Sequence, residues 1–272
     1  MSAAGCLLMG LPAGTGAPGE YDAHVHLYTK NLPMVAGRRY TPDDEATLAD
    51  LAGLLRANGL AGALVVQPSF LGTDNSHLVT CLADAAREHP DLTFRGVAVL
   101  DPATPAEAMA QLAEAGITGI RFNLDGTALP DLAAPAWRRH LAAANDFGWH
   151  VELHIGSPRL PEILPALLDS CDQLVIDHFG RPDPVAGLAC PGMQALLAAP
   201  RDRITIKLSA PYRIFPTLTS DEAASYCVPF ARAFADRFGP DRLVWASDWP
   251  WTRFSGCHSY TQACAWRALW HD

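Results

Sequence analysis

Eight short apolar runs alternate with segments of helical periodicity along this chain, and this alternation constrains the fold more than any other feature. The runs cover residues 21–26, 62–67, 93–100, 117–123, 149–155, 173–178, 203–209 and 242–248. Several are almost continuously apolar, which is typical of strands covered on both faces. Helices are predicted between them, over residues 44–58, 74–89, 104–115, 134–147, 158–170, 193–199 and 221–238. Repeated strand–helix alternation predicts a parallel sheet with helical crossovers.

The number of units and the length of the chain distinguish between two parallel-sheet folds. Eight units within 272 residues match a single α/β domain of the (β/α)8 TIM-barrel type. An open, doubly wound sheet is the alternative, but no glycine-rich phosphate-binding turn follows an early strand. We therefore predict a barrel over residues 20–272. Residues 1–19, rich in Gly, Ala and Pro, are predicted to be a flexible leader.

Composition narrows the possible partners and the compartment. Hydrophobic residues make up 49% of the chain and charged residues 18%, which indicates a folded core. The net charge of −9 argues against nucleic acid as a partner, and no apolar run is long enough to span a membrane. The seven cysteines are scattered and form no C-x-x-C pair. They are predicted to be reduced thiols of a cytoplasmic protein.

Polar residues cluster where the predicted strands end, and in this fold the active site lies at the carboxyl ends of the strands. In strand order they are His24 and His26; Ser69; Asp101; Arg121 and Asn123; Glu152 and His154; Asp177, His178 and Arg181; Lys207, Ser209 and Arg213; and Asp248. A barrel interior otherwise selects branched apolar side chains, and buried polar groups are costly unless paired. The pattern therefore predicts a catalytic site.

His24 and His26 are two residues apart on a strand, so both side chains are expected to face the same point. In a closed barrel the last strand lies beside the first, which would bring the carboxylate of Asp248 to the two imidazoles. There Asp248 could take a proton from water. The structural alternatives are a hydrogen-bonded histidine pair, a helix cap or ion pair for Asp248, and a satisfied core histidine for His178.

The basic residues near the strand ends also have two interpretations. Arg121, Arg181 and Arg213 are suited to binding a substrate carboxylate through their planar guanidinium groups. Alternatively, each forms an ion pair with a nearby aspartate, for which Asp101, Asp125 and Asp183 are the candidates. Lys207 is interpreted either as a site residue or as a structural lysine paired with Asp177.

Six motifs, occurring in order between residues 21 and 251, resemble the lactonase-type branch of the amidohydrolase superfamily, which includes the 2-pyrone-4,6-dicarboxylate lactonases. They are YDAHVH at 21–26, QPS at 67–69, GIRFN at 119–123, IDHFGRP at 176–182, KLSAPYR at 207–213 and WASDWP at 245–250. The resemblance implies a (β/α)8 barrel that hydrolyses the C–O ester bond of a small carboxylated lactone.

The resemblance also implies roles for individual residues. Asp248 would be the base that activates water, and His24, His26 and His178 would polarise the lactone carbonyl. Carboxylates of the substrate would be bound by Ser69, Arg121, Arg181 and Arg213, and we add Asn123 and His154 to the expected substrate-binding set because they end strands four and five.

Two departures from the family pattern qualify these expectations. The pattern has a further basic residue soon after the arginine of strand four, whereas residues 124–129 here carry an acid and no base. This argues against a dicarboxylate pyrone as substrate. In addition, only 22 residues follow Pro250. The last helix is expected to be short, with Trp266 and Trp270 packing against a neighbouring subunit of a homo-oligomer.

The residue types alone do not determine whether the reaction requires a metal ion. Strand four offers Arg121 and Asn123 rather than a lysine that could bridge two metals, so a two-metal site is excluded. We expect a reaction that requires no cofactor. One Zn²⁺ held by His24, His26, His178 and Asp248 is the alternative. Two other functions remain: a zinc-dependent decarboxylase of an unsaturated or aromatic acid, and a non-catalytic barrel that binds a small acid.

Overall fold

A computed structural model of the chain describes residue 8, residue 10 and residues 20–271. Its eight strands are β1 (Glu20–Val25), β2 (Leu60–Val66), β3 (Thr93–Ala98), β4 (Ile117–Asn123), β5 (His150–His154), β6 (Leu174–Ile176), β7 (Ile204–Leu208) and β8 (Leu243–Trp245). They pair in parallel and in chain order. The predicted single (β/α)8 barrel is confirmed.

The first strand and the chain following the last strand close the barrel. Val25 and Trp249 form a parallel bridge. The His26 N–H donates to Trp249 O at 2.9 Å, and the Asp248 N–H donates to His24 O at 3.0 Å. The segment that contains His24 and His26 is therefore hydrogen-bonded, backbone to backbone, to the segment that contains Asp248.

Nine α-helices surround the strands in the described part of the chain. They are α1 (Leu48–Ala57), α2 (Ser76–Glu88), α3 (Ala106–Glu114), α4 (Pro135–Asp146), α5 (Leu160–Ser170), α6 (Pro191–Ala198), α7 (Ser220–Tyr226), α8 (Val228–Phe238) and α9 (Tyr260–His271). The single helix predicted over residues 221–238 is wrong, because the helix is interrupted at Cys227. Pro229 has no N–H to continue the hydrogen-bond ladder across this point. None of these helices is long and apolar enough to cross a membrane.

The interior of the barrel changes from apolar to polar along its axis. One buried cluster, which includes Leu64, Val66, Val97 and Val175, forms an apolar layer. Leu8 is buried in the same cluster, and its carbonyl accepts a hydrogen bond from the Thr118 hydroxyl at 2.7 Å. The other residues of the predicted leader, 1–7, 9 and 11–19, lie outside the described part of the chain.

The tryptophans of α9 pack within their own chain. Trp266 and Trp270 are only 2% and 3% exposed. The Trp270 indole N–H donates to Ala224 O at 3.0 Å, and its ring lies 5.0 Å from that of Phe179. The expectation that these tryptophans face a neighbouring subunit is therefore wrong. The 22 residues after Pro250 are enough to form a 12-residue helix that closes the last unit of the barrel.

The six cysteines within the described residues are all free thiols, and Cys6 lies outside those residues. Five of the six are buried and only Cys257 is exposed. This is consistent with the reduced state predicted from their spacing.

Candidate active site

The centre of the site is the buried carboxylate of Asp248, whose two oxygen atoms have different surroundings. Oδ2 accepts hydrogen bonds from the Tyr212 hydroxyl at 2.5 Å and from Arg213 Nε at 2.7 Å. Oδ1 has no hydrogen-bond partner in the described part of the chain. It lies 3.8, 3.7 and 3.9 Å from the Nε2 atoms of His24, His26 and His178, respectively. The four predicted catalytic residues therefore meet around one free carboxylate oxygen.

The charge of Asp248 is set by its neighbours. Burial, the largest single influence, raises the pKa of this carboxyl, but the Arg213 guanidinium together with His178, His24 and His26 holds the pKa well below its ordinary value. Burial raises the pKa of the Tyr212 phenol well above its ordinary value, so that phenol remains a donor to Oδ2. Asp248 is accordingly ionised at neutral pH, with Oδ1 available as an acceptor.

An irregularity in β1 separates the side chains of Asp22 and His24, which an ideal strand would place on one face. Asp22 pairs with Ala63 and Val25 pairs with Val65, so a step of three residues along β1 matches a step of only two along β2. The Asp22 carboxylate accepts hydrogen bonds from the backbone N–H groups of His24 and Ser247 and from the Tyr260 hydroxyl of α9. Asp22 therefore joins the two closing segments to α9, while His24 is directed at Asp248.

A short left-handed turn follows β6 and orients His178. Four consecutive residues, His178, Phe179, Gly180 and Arg181, have φ of 53°, 56°, 70° and 46°. Non-glycine residues adopt this conformation at a cost of roughly 1–2 kcal/mol each. Within the turn the Arg181 N–H donates to His178 O, and His178 Nδ1 lies 2.8 Å from Ser209 Oγ. Strain of this kind is typical of functional sites.

Hydrogen bonds on the far side of each imidazole determine what that imidazole presents to Asp248. His26 Nδ1 lies 2.7 Å from Val66 O, a carbonyl that can only accept, so Nδ1 carries the proton and Nε2 presents a lone pair. Burial, with the charges of His24 and Arg121, lowers the pKa of His26 to about 3. His26 is therefore neutral at neutral pH.

His24 has the opposite arrangement because Nδ1 faces a buried ammonium group. The Lys207 ammonium lies 3.2 Å from His24 Nδ1 and can only donate, and it is nearer to Nδ1 than the competing acceptor Asp177 Oδ1, at 3.4 Å. Nδ1 is then the acceptor, and Nε2 carries the proton toward Asp248. The site therefore offers at least one imidazole N–H donor, from His24, and one imidazole lone pair, from His26.

Below the imidazoles, four fully or largely buried charged side chains neutralise one another. Lys207 contacts Glu152 through a short ion pair and lies 3.6 Å from Asp177 Oδ1. Asp177 Oδ2 in turn accepts from Arg121 Nη2 at 2.9 Å. The interpretation of Lys207 as a buried lysine paired with Asp177 is thus only partly right, since Glu152 is its closer partner. Asp177, which was not a proposed partner of Arg121, neutralises that arginine.

A pocket opens above Asp248 at the carboxyl ends of the strands. It is lined by His26, Arg39, Tyr40, Pro68, Ser69, Phe70, Arg121, Asn123, Asp125, His154, His178, Arg213, Asp248, Thr252 and Arg253. Most of the predicted substrate-binding residues line this pocket. Arg181 is at its edge, where it forms an ion pair with Asp125 at 2.7 Å. Asp101 lies elsewhere, because its carboxylate accepts from the Ala103 N–H in an exposed turn.

Arg39, Tyr40 and Arg253 were not predicted from the sequence. Arg39 and Tyr40 lie in the long segment between β1 and α1, and Arg253 follows β8. The run Gly37–Arg38–Arg39–Tyr40 was a usable signal, since loops after barrel strands supply active sites. This run was not predicted to belong to the site because it lies far along the chain from any predicted strand end.

The residues around Asp248 include side chains of the kinds that bind a divalent metal ion. Two groups, His24 with His26 and Asp248, and His24 with Asp177 and His178, have ligand atoms within 4.8 Å of one another. Both groups require His24, and zinc needs an imidazole lone pair. Nδ1 of His24 takes the Lys207 ammonium as donor, which leaves a proton on Nε2. With His24 in this tautomer, the residues of the site do not fit a zinc ion.

Comparison with known proteins identifies the family to which this chain belongs. A family model described as Amidohydrolase (Amidohydro_2) matches residues 21–270. This chain belongs to the amidohydrolase family. The family resemblance inferred from the six motifs is confirmed, and this amidohydrolase is accordingly an enzyme of the hydrolase class.

Individual relatives of this amidohydrolase cover most of its length. A 2-pyrone-4,6-dicarboxylate hydrolase from Comamonas testosteroni is 32% identical over 255 residues, covering 88% of this chain and 78% of that protein. A 4-sulfomuconolactone hydrolase from Hydrogenophaga intermedia is 28% identical over 239 residues, covering 86% and 75%. A solved structure ascribed to a 2-pyrone-4,6-dicarboxylic acid hydrolase from Acinetobacter baumannii, with citric acid bound, superposes with a TM-score of 0.86 at 31% identity, covering 94% and 93% of the two chains.

Proposed function

We propose that this amidohydrolase opens the ring of a small carboxylated lactone by hydrolysis. The observation that carries the proposal is the free Oδ1 of Asp248, which three imidazole Nε2 atoms surround at 3.7 to 3.9 Å. An ionised carboxylate with one unoccupied oxygen, next to a hydrogen-bond donor, is what addition of water to a carbonyl requires. The relatives named as lactone hydrolases support the same reaction class.

In the proposed reaction, Asp248 Oδ1 takes a proton from water as the water oxygen bonds to the lactone carbonyl carbon. The carbonyl oxygen gains negative charge and is stabilised by imidazole N–H groups of His24 and of His178, the second of which lines the pocket. When the tetrahedral intermediate collapses, the ring C–O bond breaks, and Asp248 returns the proton to the departing oxygen. The products are a new carboxyl group and a hydroxyl group on one open chain.

His26 has a different role in this proposal from the one implied by the family resemblance. Its Nδ1–H is committed to Val66 O, so neutral His26 presents a lone pair and cannot donate to a carbonyl oxygen. We assign it instead to accept the second hydrogen of the attacking water. The water would then be held by two acceptors, Asp248 Oδ1 and His26 Nε2, with its oxygen directed at the substrate.

The carboxylate of the substrate is assigned to the guanidinium groups on the pocket floor. Arg121 uses Nε and Nη2 on Asp177, and Arg213 uses Nε on Asp248 and Nη2 on Thr252. Each therefore keeps one Nη group for a ligand. Arg181 Nε is buried and has no partner among the residues that the structure describes. Ser69, Asn123 and His154 complete the proposed substrate-binding set along the pocket wall.

We propose that the reaction requires no metal ion. To bind a metal through Nε2, His24 would have to carry its proton on Nδ1, and Nδ1 faces the Lys207 ammonium. Protein purified without added metals is expected to contain far less than one equivalent of zinc. Its activity should survive dialysis against a chelator. Stoichiometric zinc, with activity lost in chelator and restored by Zn²⁺, would contradict this part of the proposal and leave the hydrolase assignment intact.

The reaction is tested by incubating the purified protein with a panel of small carboxylated lactones and following ring opening by absorbance and proton release. Asp248→Asn is expected to lower kcat by about 10²–10⁴-fold, the usual range for loss of a general base. Asp101→Asn, in an exposed turn, is the matched control and should retain full activity. No turnover of any lactone, or an unchanged kcat in Asp248→Asn, would end the proposal.

A further inference from the structure

The mouth of the pocket carries a carboxylate where a site for anionic substrates would be expected to carry only positive charge. Asp125 follows the end of β4, and its Oδ1 lies 2.7 Å from Arg181 Nη1. Its Oδ2 lies 3.3 Å from Arg39 Nη1, and its backbone carbonyl also contacts that guanidinium. One acidic side chain therefore bridges two arginines that come from different loops.

The two arginines are arranged as a binding site for an anion. Arg39 Nη2 donates to Asn123 Oδ1 at 2.8 Å, which fixes the guanidinium over the end of β4. Arg181 is held by the left-handed turn after β6, and its Nη1 lies 3.5 Å from His154 Nε2. With Asp125 removed, a free carboxylate could bind between them, because paired guanidinium groups are a usual carboxylate site.

Asp125 is ionised and is held in place by this pair. Burial opposes its ionisation, but the guanidinium groups of Arg181 and Arg39 outweigh burial and lower the pKa of Asp125 below its ordinary value. The side chain of Asp125 is 34% exposed and those of Arg39 and Arg181 are 35% and 24% exposed, so a substrate reaching the pocket would meet all three.

Resting on the function proposed above, we propose that Asp125 determines substrate specificity by occupying the Arg39–Arg181 pair, so that the enzyme selects lactones with one carboxylate and an uncharged group at the pocket mouth. A second substrate carboxylate at this place would have to displace Asp125 and would then lie beside it. Like charges at contact distance are repulsive. A hydroxyl group there would instead find acceptors in Asp125 and Asn123.

The proposal is tested by equilibrium binding of two matched aromatic acids, benzoate with one carboxylate and isophthalate with two. Calorimetry would compare the wild type, Asp125→Asn, the double variant Asp125→Asn/Arg39→Gln, and Asp131→Asn. Asp131 accepts from the Ala133 N–H outside the pocket, so its variant is the control for loss of one surface charge.

In the wild type, isophthalate is expected to bind no more than about twofold more tightly than benzoate. Asp125→Asn should tighten isophthalate binding about fivefold, the upper value for one partly exposed ion pair, while benzoate changes less than about twofold. Added salt should reduce the gain, and the double variant should lose it. Circular dichroism establishes that each variant is folded.

An equal change for both acids, or weaker isophthalate binding in Asp125→Asn, would overturn the proposal. Retention of the gain in the double variant would also overturn it, because the gain would then not depend on Arg39. The measurement needs no turnover, so a failure of lactone hydrolysis would leave it interpretable. Conversely, turnover with no difference between the acids would sustain the hydrolase assignment and end the specificity role.

Discussion

Lys207 is a fully buried lysine whose ammonium group influences which nitrogen of the His24 imidazole carries the proton. Its ammonium group contacts Glu152 and lies 3.2 Å from His24 Nδ1 and 3.6 Å from Asp177 Oδ1. A buried ion pair is a weak source of net stability, yet removing one partner leaves an uncompensated charge. Lys207 is thus better understood as a positioning residue than as a source of binding energy.

Replacing Lys207 by methionine tests this interpretation. Lys207→Met is expected to lower the free energy of unfolding by about 3–5 kcal/mol, because the buried carboxylate of Glu152 loses its ammonium partner and keeps only the His150 imidazole, at 3.4 Å. The double variant Lys207→Met/Glu152→Leu should recover part of that loss. Denaturant unfolding measures both. If the double variant is no more stable than the single variant, the two charges do not form the compensated pair described here.

A spectroscopic measurement distinguishes a positioning role of Lys207 from a purely structural one. Histidine ¹⁵N chemical shifts of the folded wild type should show His24 protonated at Nε2 and His26 protonated at Nδ1, with His24→Gln and His26→Gln giving the assignments. The same tautomer for both rings would contradict the opposite roles proposed for them.

Helix α9 shows how one element completes the barrel. Its residue Tyr260 donates to Asp22, which also accepts the backbone N–H groups of His24 and Ser247. At its other end Trp270 packs on Phe179, which belongs to the left-handed turn that presents His178. The helix therefore supports both closing segments and the turn after β6, although none of its residues lines the pocket.

Trp270→Ala is expected to destabilise the protein by about 3–5 kcal/mol, as for loss of a buried aromatic side chain. Leu269→Ala is the matched control, because Leu269 is 42% exposed and its truncation should change stability by no more than about 0.5 kcal/mol. Unfolding would be followed at several protein concentrations. A loss for Trp270→Ala that depends on concentration would indicate a subunit contact and contradict the packing described for α9.

Across the whole molecule, buried neutral histidines make stability depend on pH. Burial, the largest cause in each case, lowers the pKa of His26 to about 3 and that of His258 to about 4, and it lowers the pKa of His154 and His178 well below the ordinary value. In the unfolded chain these groups take up protons near pH 6.5. Below that pH the unfolded state binds more protons, so stability falls as pH falls.

The free energy of unfolding is therefore expected to decrease between pH 7 and pH 5, with each of these histidines contributing up to about 1.4 kcal/mol per pH unit. Asp248 has the same direction of dependence in a lower pH range: its depressed pKa contributes stability above about pH 4, which is lost only at still lower pH. Urea unfolding at pH 7, 6 and 5 measures the slope. A flat profile over this range would contradict the neutral state assigned to the imidazoles.

Much of the site could be predicted from the sequence because its geometry follows from strand order. His24 and His26 end the first predicted strand, and His178 and Asp248 end the sixth and eighth, so a closed barrel brings all four to one end. Period-two alternation further directs the two histidines of the first strand to one face. The position of Asp22 could not be predicted in the same way, since the irregularity in β1 depends on how the backbone pairs with β2. Alternation alone does not reveal such an irregularity.

The sequence by itself determined the class of fold, the family and which histidines meet Asp248, because hydrophobic periodicity and strand-end chemistry are local properties of the chain. Only the tertiary structure decided which arginine each aspartate neutralises, which imidazole nitrogen carries the proton, and that Trp270 packs on its own barrel. Those features depend on contacts between residues distant along the chain, such as Arg39 with Asp125, and no local pattern encodes their distances.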